Sequence, residues 1–115
     1  PTRSSDVPIA NCFTPLAVSQ DRADEIVQAW AGNSGIPSDE MTLNVMSGTQ
    51  GGKRYAAMAW LYLPTLWSAG DAESLTIGLA RSLTGVLDLP SDQVLVVRTG
   101  VETGSVVEDG MITRW

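Results

Sequence analysis

The stretch Ile36-Pro37-Ser38-Asp39-Glu40-Met41-Thr42-Leu43 returns 53 residues later as Leu89-Pro90-Ser91-Asp92-Gln93-Val94-Leu95-Val96. Each copy reads as a junction between a helix and a strand: a proline that stops a helix, a Ser-Asp turn, then an apolar run. The same spacing pairs Ile26 with Leu79, Trp30 with Leu83 and Gly32 with Gly85, so the helices before the junctions repeat too. The chain therefore reads as two βαβ units in tandem. The glycine-rich Gly48-Thr49-Gln50-Gly51-Gly52 separates them. Repeat 1 covers about residues 1–50 and repeat 2 about 51–100, followed by a C-terminal segment 101–115, all within one domain.

The first helix is expected over Ser19 to Ala31. Ser19 can cap it, Asp21 and Asp24 suit the positive end of its dipole, and Ala23, Ile26, Val27 and Trp30 fall on one face. Gly32 and Gly35 are expected to stop it. The second helix is expected over Gly70 to Leu87, with Leu75, Leu79, Leu83 and Val86 as its apolar stripe. Strands are expected at Met41 to Ser47, Tyr55 to Leu63 and Gln93 to Thr99, and a further one before the first helix, best placed at Val7 to Phe13. The strand at Met41 places Met41, Leu43 and Val45 on one face and Thr42 and Asn44 on the other. The runs at Tyr55 and Gln93 are nearly continuous in apolar residues, as in strands buried on both faces. Ser105-Val106-Val107 and Met111-Ile112 suggest a short hairpin.

A right-handed crossover makes the two strands of each unit parallel. The expected fold class is α/β (α+β): a four-stranded mixed sheet with both helices on one face. The other face then lacks a cover, which predicts oligomerisation with open faces meeting one another.

The composition narrows the chemistry. The chain has 115 residues, 7 Lys+Arg against 13 Asp+Glu, a net charge of −6 and no histidine. Catalysis by Ser-His-Asp or Cys-His and imidazole metal sites are excluded. The single cysteine, Cys12, excludes an intrachain disulfide and a thiolate cage, and no metal or cofactor is expected. Acidity argues against binding a phosphate backbone. The longest apolar run, Tyr55 to Leu63, is far short of the roughly 20 residues of a membrane helix. No signal peptide is expected from residues 1–6, and a lone thiol in an acidic chain fits a reducing cytoplasm.

In these features the sequence resembles the tautomerase superfamily, most nearly its macrophage migration inhibitory factor (MIF) branch. The resemblance rests on Pro1, the length, the repeat, Ala56-Ala57-Met58-Ala59-Trp60-Leu61-Tyr62-Leu63, and the segment from Ser74 through Asp92 to Val94–Val97. It implies a homotrimer and cofactor-independent keto–enol conversion of a small 2-oxo acid, with the amine of Pro1 as general base. It also implies the related reactions of the family, namely hydration, dehalogenation or decarboxylation of a small unsaturated or oxo acid at the same proline. A third reading is a catalytically silent trimer that binds a partner.

The proline chemistry suits a chain without histidine. An α-amino group titrates near 8, closest to neutrality of the groups present, and burial in an apolar pocket lowers it further. A base poised there can move a proton between carbon and oxygen. Pro8 competes for the strand-start position, because Pro8-Ile9-Ala10 resembles the opening of the 4-oxalocrotonate tautomerase (4-OT) branch. At Pro8 the nitrogen is an amide and cannot be a base. The 53-residue spacing, which pairs Pro1 with Arg54 just before the strand at Tyr55, favours Pro1.

The carboxylate of such a substrate calls for a cation, and Arg3, Arg54 and Arg98 are the candidates. The family positions usually filled by cations or a backbone N–H read Pro64, Thr65, Leu66 and Trp67, and Leu95 and Val97 stand where the MIF branch has a tyrosine and an asparagine. Tyr62 is a candidate hydrogen-bond donor to an enolate oxygen, and Glu108 a candidate acid for activating water. Trp30 is expected in the core, Trp67 and Trp115 at an interface or in the core, and Cys12 as a buried, inert thiol.

Overall fold

The computed structural model describes residues 7–115. Pro1 and Arg3 lie outside the described residues.

The first strand, β1 (Ile9–Thr14), is followed by helix α1 (Gln20–Ser34). The Ser19 side chain accepts from Arg22 N at 3.2 Å, as the capping pattern predicts. Gly32 does not stop this helix. The chain runs on to Gly35, whose left-handed φ of 74° and N–H bond to Ala31 O form the terminus. A 3₁₀ turn at Ser38–Glu40 leads into β2 (Thr42–Ser47). The second unit repeats this order with β3 (Ala57–Pro64), α2 (Ala69–Leu87), a 3₁₀ turn at Ser91–Gln93 and β4 (Val94–Val101). A separate hairpin, β5 (Val106–Glu108) and β6 (Met111–Thr113), turns at Asp109-Gly110, both with positive φ, as a two-residue hairpin turn requires.

The main sheet has the order β2-β1-β3-β4. β1 is parallel to β2, β3 is parallel to β4, and β1 and β3 are antiparallel at the centre. This is the four-stranded mixed sheet that the repeat predicts, with α1 and α2 on one face. That face carries Ala10 and Cys12, Leu43 and Val45, and Ala57, Ala59, Leu61 and Leu63 against Ile26, Trp30, Leu75, Leu79 and Leu83. The indole N–H of Trp30 donates to Leu75 O at 2.9 Å and ties the two helices. A Cβ at Gly78 would meet Ser34 Oγ at 2.5 Å and Asn33 Cβ at 3.4 Å, so its glycine allows the close approach of α2 to α1.

The 53-residue spacing does not hold throughout. Thr42 lies beside Ile9 and Leu95 beside Met58, so the first strands of the two units are 49 residues apart. The N-caps Ser19 and Ser68 are likewise 49 apart, whereas the C-caps Gly35 and Asp88 are 53 apart. The four-residue difference is one added turn: α1 has 15 residues and α2 has 19. The strand-level counterpart of Ala57 is therefore Pro8.

The other sheet face is open. Ile9, Phe13, Met46 and Val97 are each about two-fifths exposed there. Between them Asn44 Nδ2 donates to Asn11 Oδ1 at 2.9 Å, and Phe13 meets Trp60 edge to face at 5.6 Å. β3 is the more enclosed of the two apolar runs, with one face buried and Met58, Trp60 and Tyr62 half-buried on the other. β4 departs from the expectation of burial on both faces, because it is an edge strand and is half-buried to exposed along its length. Among the described residues no helix is long and apolar enough to cross a membrane.

Candidate functional site

The end of the sheet where β1 begins is built from three strands. Pro8, buried, immediately precedes β1, and its carbonyl accepts from Thr42 N at 3.0 Å. Ile9 then lies beside Tyr62, and Tyr62 beside Thr99. The chain beyond β3 is fastened across this end, because Thr65 N donates to Val101 O at 2.9 Å. The C-terminal residue returns to the same place: Trp115 Nε1 donates to Thr65 Oγ1 at 3.1 Å, and Trp115 N to Thr103 Oγ1 at 2.7 Å. The sequence reading missed this tether. Its only signal was an aromatic residue at the end of a segment too short to bury it.

The sequence-derived candidates divide between places. Tyr62 alternates with Met58 and Trp60 and points to the open face. Arg98 belongs to the helix face, where its Nη1 donates to Thr76 Oγ1 of α2 at 3.3 Å. Tyr62 and Arg98 thus stand on adjacent strands but on opposite faces. Arg54 precedes β3, at the far end of a strand of eight residues, and so sits roughly 25 Å of strand length away from Pro64. Glu108 ends β5, in the hairpin sheet separate from the main one. One chain therefore gathers Pro8, Tyr62, Thr99 and Trp115 at one sheet end and leaves Arg54 at the opposite end. Among the described residues no group of three His, Cys, Asp or Glu side chains is placed to hold a metal ion.

Cys12 points into the core from the middle of β1 and is fully buried. Burial pushes its thiol up from 9.0 to about 11. A thiol held two pH units above its unfolded value carries about a hundredfold less thiolate at pH 8, so alkylation of folded protein is expected to be at least that much slower than in denaturant. The same displacement makes the fold sensitive to alkali. Folded protein keeps the proton up to about pH 11 while the unfolded chain loses it near 9.0, so the stabilising term is complete below 9.0 and is lost as pH rises through that window. Urea unfolding of wild type and Cys12→Ala between pH 8 and 11 measures it, and only the wild type is expected to show this component of the decline.

No protein-family model matches the sequence, and no curated protein matches it. Solved structures do. A fused 4-OT, an asymmetric trimer, superposes with a TM-score of 0.74 at 16% identity, over 90% of this chain and 94% of that one. MIF2 of Leishmania major gives 0.69 at 14% identity, over 95% and 97%. The macrophage migration inhibitory factor of Toxoplasma gondii gives 0.64 at 12%, over 90% and 98%. At such identities the likeness is one of fold, and the chain has the fold of these fused 4-OT and MIF structures.

Proposed function

We propose that the protein is a cofactor-independent catalyst of the tautomerase type, which moves a proton in the keto–enol conversion of a small 2-oxo acid. The observation that carries this reading is the sheet order β2-β1-β3-β4 with two helices on one face, matched over nine-tenths of fused 4-OT and MIF structures. In a protein whose first residue is Pro1, its secondary amine is the base. It takes the proton from the enol oxygen and returns it to carbon, so the reaction is an isomerisation that consumes nothing. Arg3 receives the carboxylate, since Arg98 stands on the opposite sheet face from Tyr62, and Tyr62 donates to the enolate oxygen. The working form is a homotrimer. Its contacts use the open sheet face, as the apolar Ile9, Phe13, Met46 and Val97 there lack a cover within one chain.

The test is a screen of enol acids with the Pro1-initiated protein and its Pro1→Ala variant. Turnover is expected with a limb of the kcat/KM profile below the usual α-amino value of about 8. Turnover unchanged in the variant removes Pro1 as the base. Sedimentation is expected to give three chains, and a monomer at micromolar concentration counts against the assembly.

One observation favours a second reading, a trimer that binds a partner without catalysis. β1 begins at Ile9 directly after Pro8, so the proline at the head of the strand carries an amide nitrogen. No turnover of any enol acid, together with a stable trimer, is the result that this reading expects.

A further inference from the structure

The outer side of α2 sets an acid and a base symmetrically about an apolar residue. Glu73, Ile77 and Arg81 are exposed and spaced by four, so they occupy one face of the helix on successive turns. Ile77 is 41% exposed, and among the described residues it is the most exposed large apolar side chain of either helix. With Gly70, Ser74 and Asn33 of α1, these three line a cavity of about 290 Å³ at the junction of the two helices.

Neither charge is satisfied within the chain. Glu73 and Arg81 are separated by about 12 Å of helix rise, and Ile77 lies between them. Neither has an ionic partner among the described residues. Asn33, beside them on α1, is committed to Ser82, whose Oγ accepts its N–H at 3.2 Å.

A second copy of α2 satisfies both charges at once when it runs antiparallel, across a two-fold axis at Ile77. Each Glu73 then comes level with the Arg81 of the other copy, and Ile77 meets Ile77. A parallel copy would set acid against acid and base against base. In the antiparallel arrangement Gly70 comes level with Thr84 and Ser74 with Ala80, so small side chains let the two helices approach. The same arrangement puts Asp88, at the C-terminal cap, beside the positive N-terminal end of the other copy.

We propose that this face of α2 is a contact between two copies of the chain, made across a two-fold axis at Ile77 with Glu73 and Arg81 paired reciprocally. It lies on the helix side of the sheet, away from the open side assigned above to the trimer. It therefore joins separate assemblies, and stands or falls apart from both the trimer and the proton transfer. One helix against its copy buries less than the roughly 1,200 Å² at which standard interfaces begin, so the pairing is transient and is best read by trapping.

The experiment forms disulfides in the full chain with diamide, in about 0.15 M salt to screen the repulsion between copies of net charge −6. Cys12 is buried and does not compete. Ile77→Cys places two thiols at the axis. It is expected to link chains in pairs about tenfold faster than Glu73→Cys, whose two copies would stand about 12 Å apart, beyond the reach of a disulfide. In the Ile77→Cys protein, Glu73→Arg sets like charges together and is expected to slow the linking about tenfold, and adding Arg81→Glu is expected to restore it. All three positions are exposed, so the fold tolerates these changes. Equal rates for Ile77→Cys and Glu73→Cys overturn the proposal. So does a rate that Glu73→Arg leaves unchanged, or one that the exchanged pair fails to restore.

Discussion

Trp30→Ala is expected to lower the stability of the protein by about 3–5 kcal/mol, the range for removing a fully buried large aromatic residue. Trp30 has no exposed surface, and it lies on the face of α1 that meets both the sheet and α2. It contributes in two ways that separate experimentally. Its volume fills the space between the helices, and its indole N–H reaches across to Leu75 O. Trp30→Phe retains most of the volume and loses the hydrogen bond, so it is expected to cost less than the alanine variant: the bond itself, about 1 kcal/mol, and the part of the indole that phenylalanine does not replace. Urea unfolding at a single protein concentration measures both variants, since an assembly ties apparent stability to concentration. An alanine variant within about 1 kcal/mol of wild type would show that the two helices are not joined through this residue.

A single residue added ahead of Pro1 is expected to reduce kcat about 10²–10⁴-fold, the usual contribution of a positioned general base. The added peptide bond turns the secondary amine into an amide and removes its basicity while leaving the proline ring. KM is expected to change little, because in the proposed site the cation and Tyr62, not the amine, hold the substrate. A chain that begins at Pro8 provides the complementary experiment. It removes Pro1 and puts a free amine at the head of β1, on the strand next to Tyr62. Under the proposal that Pro1 is the base this chain is inactive, and turnover recovered in it would transfer the role to Pro8. Full activity with the residue added would end the amine mechanism altogether.

Most of the fold was legible because it is periodic. The Pro-Ser-Asp junctions and the stripes Ile26/Trp30 and Leu75/Leu79/Leu83 fix which faces are buried, and the sheet follows from the handedness of crossovers. Gly32 was misread because a glycine inside a helix costs only about 1 kcal/mol, which the packing of Trp30 offsets, whereas the left-handed Gly35 ends the helix geometrically. The spacing of 53 misplaced the start of the first strand, since a helix absorbs an inserted turn without changing its buried face, and only strand register reveals it. The candidate site was less legible. Alternation along β3 and β4 separates Tyr62 from Arg98, but nothing in the sequence couples Trp115 to Thr65 across 50 positions.

The amide pair on the open sheet face restricts what is able to cover it. Asn44 spends one N–H and Asn11 one oxygen on each other, which leaves Asn44 Oδ1, its second N–H and both hydrogens of Asn11 unspent within the pair. Sealing them under hydrocarbon would cost about 1–3 kcal/mol for each group left dry. A neighbouring copy that covers Ile9, Phe13 and Met46 must therefore bring matching donors and acceptors, or trap water, at the level of Asn11. A purely greasy partner is penalised at that one level, which makes the pair a selector of which surfaces stack on this sheet and in which alignment.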